Sequence, residues 1–293
     1  MRCDLHVHTR HSGMCTIPLL SRSCRESYND PDAVYEILKR RGMNLVTVTD
    51  HDSIDAVESL RRHPDFFLSE EVTCTTPSGT EIHVGVYGIE DRHHVELQRL
   101  RKDVPALAAY LREQELFFSI NHVFSSLTGK RTDLDFVLFD ELFPAIETLN
   151  GQIPAANNAA AAQLALEWHK AVVAGSDAHT LSSLGQTFTE VPGAQSVSSF
   201  LRGLRLGNAR TLGSCGNYFK LTRAISRIGL EFVREKAWAA MLAPLLLVAP
   251  LVTLIHYACE VAFHAKWSRR ALGREFVRIP VADPLFEVTD VRQ

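Results

Sequence analysis

The six cysteines include no CxxC pair. Cys3, Cys15, Cys24, Cys74, Cys215 and Cys259 are scattered, which reads as reduced thiols of a cytosolic protein and not as a disulfide framework. An excess of one charge is also missing. The formal net charge is -3, so neither a strongly basic face nor stable binding of duplex nucleic acid is expected. There is no Gly-rich phosphate loop, no internal repeat and no low-complexity tract. The opening "MRCDLHVHT" has no apolar core of a signal peptide, so residues up to about 220 read as cytoplasmic.

Long hydrophobic runs are lacking until residues 237–263, "AWAAMLAPLLLVAPLVTLIHYACEVAF". That run exceeds the roughly 20 residues needed to cross a bilayer. Trp238 and Trp267 flank it, and Lys266, Arg269 and Arg270 follow, as at a membrane interface. Pro244, Pro250, His256 and Glu260 point instead to a buried helical hairpin broken at the prolines. Both readings stay open. Contact with the cytoplasmic face of a membrane is one expectation.

The rest has ordinary globular composition, 46% hydrophobic and 22% charged. Its length suits one large barrel or two modest domains. Apolar strand-like runs occur at 2–8, 44–50, 65–73, 81–88, 116–123, 143–150 and 171–179. Helical patterns lie between them, including one long helix to about residue 114. Such repeated βα units predict parallel strands with helices outside, closed into a barrel. Turn residues in "GSCGNY" place a boundary there, with a barrel over 1–218 and a C-terminal extension with an apolar helical segment over 219–293.

Side chains two apart share one face of a strand, so Asp4, His6 and His8 point the same way. One HxH alone is weak evidence for a metal. The other strand ends add to it: Asp50, His51 and Asp52; Glu70 and Glu71; His83; Asn121 and His122; Asp177 and His179. A parallel barrel gathers the C-terminal ends of its strands at one mouth. Carboxylates and imidazoles crowded there are costly unless cations neutralise them. The mixed N/O donor set suits manganese, zinc or iron better than calcium or magnesium.

The pieces "DLHVHT", "TVTDHDS", "EEVT", "EIHVGVYG", "INHV" and "GSDAH" resemble, in order, the motifs of the PHP (polymerase and histidinol phosphatase) domain family. The resemblance implies a distorted (β/α)7 TIM-like barrel that binds two or three divalent metal ions and hydrolyses phosphoesters. Position by position it makes His6, His8, His51, Glu71, His83, His122, Asp177 and His179 the metal ligands, with Glu71 bridging two ions. Glu70 faces the other side of its strand. Asp177 and His179 are also candidates for passing a proton to the leaving group. Arg10, Lys130 and Arg131 are candidate phosphate-binding residues by position in strand-end loops, or solvated loop charges. Many family members carry an Asp or His five or six residues after the second histidine. Here Gly13 and Met14 stand there, which leaves the metal of His51 and His179 in question. His11, Cys15, Glu26 and Asp30 are nearby substitutes. Cys15 as a thiolate would favour zinc; otherwise it is an inert buried thiol.

The expected activity is thus metal-dependent cleavage of phosphoesters by a metal-activated hydroxide. Substrates would be a small phosphorylated metabolite, a nucleotide or a short oligonucleotide. The alternative is a non-catalytic or regulatory metal-binding domain, tethered to a membrane or partner by its C-terminal segment. C–N bond hydrolysis by a related metal barrel is a third class; it usually uses a lysine between metals, and no Lys ends a strand here.

Overall fold

The computed structural model of the protein describes residues 1–15 and 20–272. In chain order it contains β1 (Arg2–Cys3), α1 (Pro31–Arg40), α2 (Val57–Leu60), β2 (Ser69–Thr75), β3 (Glu81–Tyr87), α3 (Asp91–Leu100) and α4 (Val104–Glu113). There follow β4 (Phe117–Ile120), α5 (Asp133–Leu142), β5 (Ala145–Asn150), α6 (Ala155–Glu167), β6 (Ala171–Gly175), β7 (Thr187–Glu190), α7 (Val197–Arg205) and β8 (Arg210–Gly213). The chain then forms α8 (Tyr218–Glu235), a 3₁₀ helix (Ala237–Val248) and α9 (Ala249–Ala271).

Among the described residues the strands do not close into a hydrogen-bonded barrel. One sheet has the order β2-β3-β4-β5-β6, a second the order β1-β7-β8. Only β4-β5 and β5-β6 pair in parallel; β2-β3 and β3-β4 are antiparallel. The "PSG" turn explains the first antiparallel pair, because a tight hairpin reverses the chain. Across the remaining seam run single bridges: Val7 to Ala178, Val46 to Phe66 and His51 to Glu71.

Side chains take some of the seam's backbone donors, and the backbone bonds that cross it, such as Asp177 N–H to the His6 carbonyl at 2.7 Å and Thr49 N–H to the Val7 carbonyl at 2.8 Å, form no continuous ladder. Asp4 accepts the N–H of Ser176 at 2.7 Å through Oδ1 and that of Gly185 at 2.7 Å through Oδ2. Thr49 Oγ1 accepts the N–H of Val7 at 3.0 Å, and Asp50 that of Thr9 at 2.6 Å. Residues 3–8 and 45–50 are buried throughout, yet little of either is ladder strand. The approach is close at Gly175, where a Cβ would lie 2.2 Å from His6 Cβ.

The long helix expected before residue 114 is two, α3 and α4. Pro105 would clash in mid-helix, and Asp103 caps the new start by accepting the N–H of Ala106 at 3.1 Å. The main core lies between the larger sheet and its helices, with Val84, Phe118, Ile120, Phe136 and Phe139 fully buried. Trp267 and Ala271 of α9 join that core. Glu260, also on α9, is fully buried and accepts from Ser125 Oγ at 3.0 Å, Ser126 N at 2.8 Å and Asn157 Nδ2 at 3.1 Å. By length and composition Trp238–Ala271 is apolar enough to cross a membrane, and 17% of its apolar window is buried.

Candidate metal centre

The site sits where β2 and β3 and the residues just after β4 and β6 meet the segments 4–8 and 49–52. Glu71 is its centre and is fully buried. Its Oε2 faces His6 Nε2 at 3.0 Å, His8 Nε2 at 3.4 Å and His51 Nε2 at 3.4 Å. Its Oε1 faces His122 Nε2 at 3.4 Å and His83 Nδ1 at 3.6 Å. One carboxylate thus divides the imidazoles into two sets. Asp177 Oδ1 closes the first set, at 3.2 Å from His8 Nε2, 3.5 Å from His179 Nδ1 and 3.6 Å from His6 Nε2.

The backbone is strained at two of these positions. His122 has φ +32° and Asp177 φ +50°, conformations that non-glycine residues avoid. Strain of this kind clusters at functional sites, held by the surroundings. His122 N–H donates to Glu147 Oε2 at 3.0 Å, and Asp177 N–H to the His6 carbonyl at 2.7 Å.

Proton occupancy in the cluster is polarised. Burial works to lower the His6 pKa, but Glu71, Asp177 and Glu147 outweigh it and hold it well above the ordinary value. Burial lowers His8 to about 4, helped by the charge on His179. Burial also sets His51 well below its usual value. Burial would raise Glu71 and Asp177, yet the histidines around them, His6 foremost, keep both well below the carboxylate range. Ionised carboxylates beside neutral imidazoles are the ligand forms that cations bind.

The donors fit divalent cations. His6, His8 and Asp177 present atoms within 4.8 Å of one another, as do His6, Glu71 and His122, His51, Glu71 and His83, and His8, Glu26 and His51. His8 Nε2 and Glu26 Oε1 are buried without a hydrogen-bond partner. His83 Nδ1 and His122 Nε2 face each other at 3.2 Å, which suits two ligands of one ion. The cluster forms one end of a cavity of about 690 Å³.

Two comparisons bear on this arrangement. Residues 155–209 match the family model of the PHP-associated segment, PHP_C. The fold resembles a two-domain protein from Bacteroides vulgatus that contains a predicted PHP-like metal-dependent phosphoesterase, with 17% identity, TM-score 0.57, 73% of this chain and 65% of that one covered. These matches support the resemblance to the PHP domain family that the sequence motifs carry. PsfC from Pseudomonas syringae has a similar fold, at 18% identity and TM-score 0.57, over 80% of this chain and 98% of that one. An uncharacterised protein from Methanocaldococcus jannaschii is 31% identical over 67 residues, 22% of this chain. The match spans 38% of that relative's length.

All eight residues expected as ligands come together around Glu71 and Asp177. Neither Gly13 nor Met14 supplies the acid or imidazole sought there. Gly13 is in a left-handed turn with φ +98°. Glu26 reaches in from the following loop, its Oε1 at 3.9 Å from both His51 Nε2 and His179 Nε2. Burial pushes its carboxyl up to about 7, against the pull of His179. The other substitutes lie elsewhere: Asp30 caps α1 and pairs with Arg10 at 2.7 Å. Cys15 borders the cavity and donates its N–H to the Cys24 carbonyl at 3.0 Å.

The basic candidates are not in the cavity wall. Arg10 is held by Asp30. Lys130 is exposed. Arg131 is buried, donates to the Glu81 carbonyl at 2.9 Å and lies over the rings of Phe139 and Phe263. It joins β3 and α5 to α9.

Three residues support the site, and of these the sequence pattern picks out only Asn121, beside His122 at a strand end. Glu147 Oε1 lies 2.7 Å from His6 Nδ1. It sits at an irregularity in the β5-β6 register, an acid inside the apolar run "AIETL". Asn121 Nδ2 donates to Glu71 Oε1 at 2.8 Å. Ser12 Oγ pairs with His8 Nδ1 at 2.8 Å and accepts the His51 N–H at 2.9 Å.

Proposed function

We propose that the protein is a metal-dependent phosphoesterase acting on a small phosphate ester. The observation that carries this reading is Glu71, whose two oxygens face two separate sets of imidazoles at the end of a cavity. His6, His8, Glu71 and Asp177 would hold one divalent ion, and Glu71, His83 and His122 a second. Glu26, His51 and His179 would hold a third, Glu26 standing in for the ligand missing at Gly13 and Met14. Manganese, zinc and iron suit the donors.

Bound ions would lower the pKa of water and offset charge on the phosphoryl oxygens. The chain's own residues do the rest. Glu71 and Asp177 are buried and ionised, so they oppose escape of the cations. Asp177 is placed to take a proton from the attacking water, and His179, when the third ion does not engage it, to give one to the leaving oxygen. His179 is suited to the second task because its side chain is 24% exposed at the cavity wall. Water adds to phosphorus, the P–O bond to the alcohol breaks, and the alcohol leaves protonated. Glu147, Asn121 and Ser12 orient His6, Glu71 and His8.

The test is hydrolysis of p-nitrophenyl phosphate and bis-p-nitrophenyl phosphate with added manganese. Activity on either that falls about 10³-fold or more in Asp177→Asn supports the reading. Metal-replete protein inert on both, and on a broader panel of phosphate esters, would contradict it.

A further inference from the structure

We infer that the substrate is an amphiphilic phosphate ester, with its phosphate at Glu71 and Asp177 and a hydrocarbon chain along the C-terminal helices. This rests on the phosphoesterase reading above.

The cavity has two unlike ends. One is the His and carboxylate cluster. The other is formed by α8, the 3₁₀ helix and α9, and every residue these elements contribute to it is apolar. Ile225, Ile228 and Phe232 come from α8, Leu242 and Leu246 from the 3₁₀ helix, and Val252 from α9. For a small polar ester such a wall offers little. For a chain ester each methylene taken from water into it adds affinity. A nucleobase would call for stacking rings and polar groups at its edges. Phe232 is the only Phe, Tyr or Trp among the described lining residues, and no polar side chain of the C-terminal helices lines the cavity.

The apolar wall continues onto the surface. Leu245 and Val252 line the cavity and are 61% and 43% exposed. Beside them Met241, Leu247, Leu251, Leu254 and Ile255 are exposed, a patch larger than isolated surface apolar residues make. The opposite face of α9 is committed to the main core and its loops through Glu260 and Trp267. A helix tied down along one face and bare along the other suits lying in a bilayer interface more than crossing it. The source of the substrate is therefore a membrane against which this patch rests, with the cavity taking the lipid's chain and its phosphate reaching the metal cluster.

The experiment uses the full-length, metal-loaded protein. Binding of propyl-, hexyl- and decylphosphonate, which are not hydrolysed, is measured by calorimetry below micelle-forming concentrations. Hydrolysis of the matching alkyl phosphates is measured in parallel. Affinity should rise roughly fourfold per buried methylene, and about a hundredfold or more from propyl to decyl. In Leu246→Asp the decyl-to-propyl ratio should fall about tenfold or more. The protein should also co-float with phosphatidylcholine vesicles. Wild-type affinity that is flat or falls with chain length overturns the inference, whether or not short esters are hydrolysed. Chain-dependent binding without hydrolysis of any ester keeps the chain pocket and overturns the phosphoesterase reading. Failure to co-float overturns the membrane source.

Discussion

His6 Nδ1 lies 2.7 Å from Glu147 Oε1, while Nε2 of the same ring faces Glu71 at 3.0 Å. The ring is held between a carboxylate that fixes its tautomer and one that shares its ligand role. Glu147→Gln keeps the volume and loses the charge. Metal affinity should fall about 10–100-fold, with activity restored by excess metal. A metal titration checks this, and unchanged affinity would leave Glu147 a packing residue.

Glu26 reaches His51 and His179 from a loop, where Gly13 and Met14 offer no ligand. Glu26→Ala should lower the metal content by one ion per chain, read by elemental analysis, and leave the ions at Glu71 in place. Glu26→His should restore it, since imidazole suits the same cations. An unaltered count in Glu26→Ala would show that the third position is not built from this residue.

Metal binding should release protons. In the metal-free protein three carboxylates hold His6 protonated, its pKa well above the ordinary value despite burial. An ion at Nε2 requires that proton to leave. A raised pKa means that the proton competes most strongly at low pH, so affinity should rise with pH through the neutral range. Calorimetry in two buffers of different ionisation enthalpy should find about one proton released from this position. Affinity independent of pH between 5 and 8 would contradict the assignment.

Much of this site is legible in the sequence because strand geometry fixes it. His6 and His8 share a face by alternation, and Glu71, His122, Asp177 and His179 follow apolar runs that end at one mouth. Glu26 is harder to read: it lies on a loop with no strand register, so the sequence leaves it equal to His11, Cys15 and Asp30. Glu147 carries the same signal as the ligands, an acid in an apolar strand, but belongs to no motif. The closed barrel is the expectation that fails. Alternation shows which residues are extended, not that Asp4, Thr49 and Asp50 will take some of the backbone donors at the seam. The role of Arg131 is equally hidden, because its partners on α9 are remote in sequence.

Gly175 lets β6 pass His6 at contact distance. Gly175→Ala puts a methyl where His6 Cβ and backbone already stand. The strands must separate, at a cost of about 1–3 kcal/mol, seen as a lower urea midpoint. The shift should also weaken metal binding. A variant as stable as the parent would mean that the segment carrying His6 packs less closely than described.

The central claim is that Glu71 bridges two cations. Anomalous diffraction from crystals loaded with manganese or zinc tests it most directly. The account predicts a peak on each side of the Glu71 carboxylate, each about 2.0–2.2 Å from one of its oxygens. One peak should lie toward His6, His8 and Asp177, the other toward His83 and His122. Metal-loaded crystals with no peak beside Glu71 would contradict it.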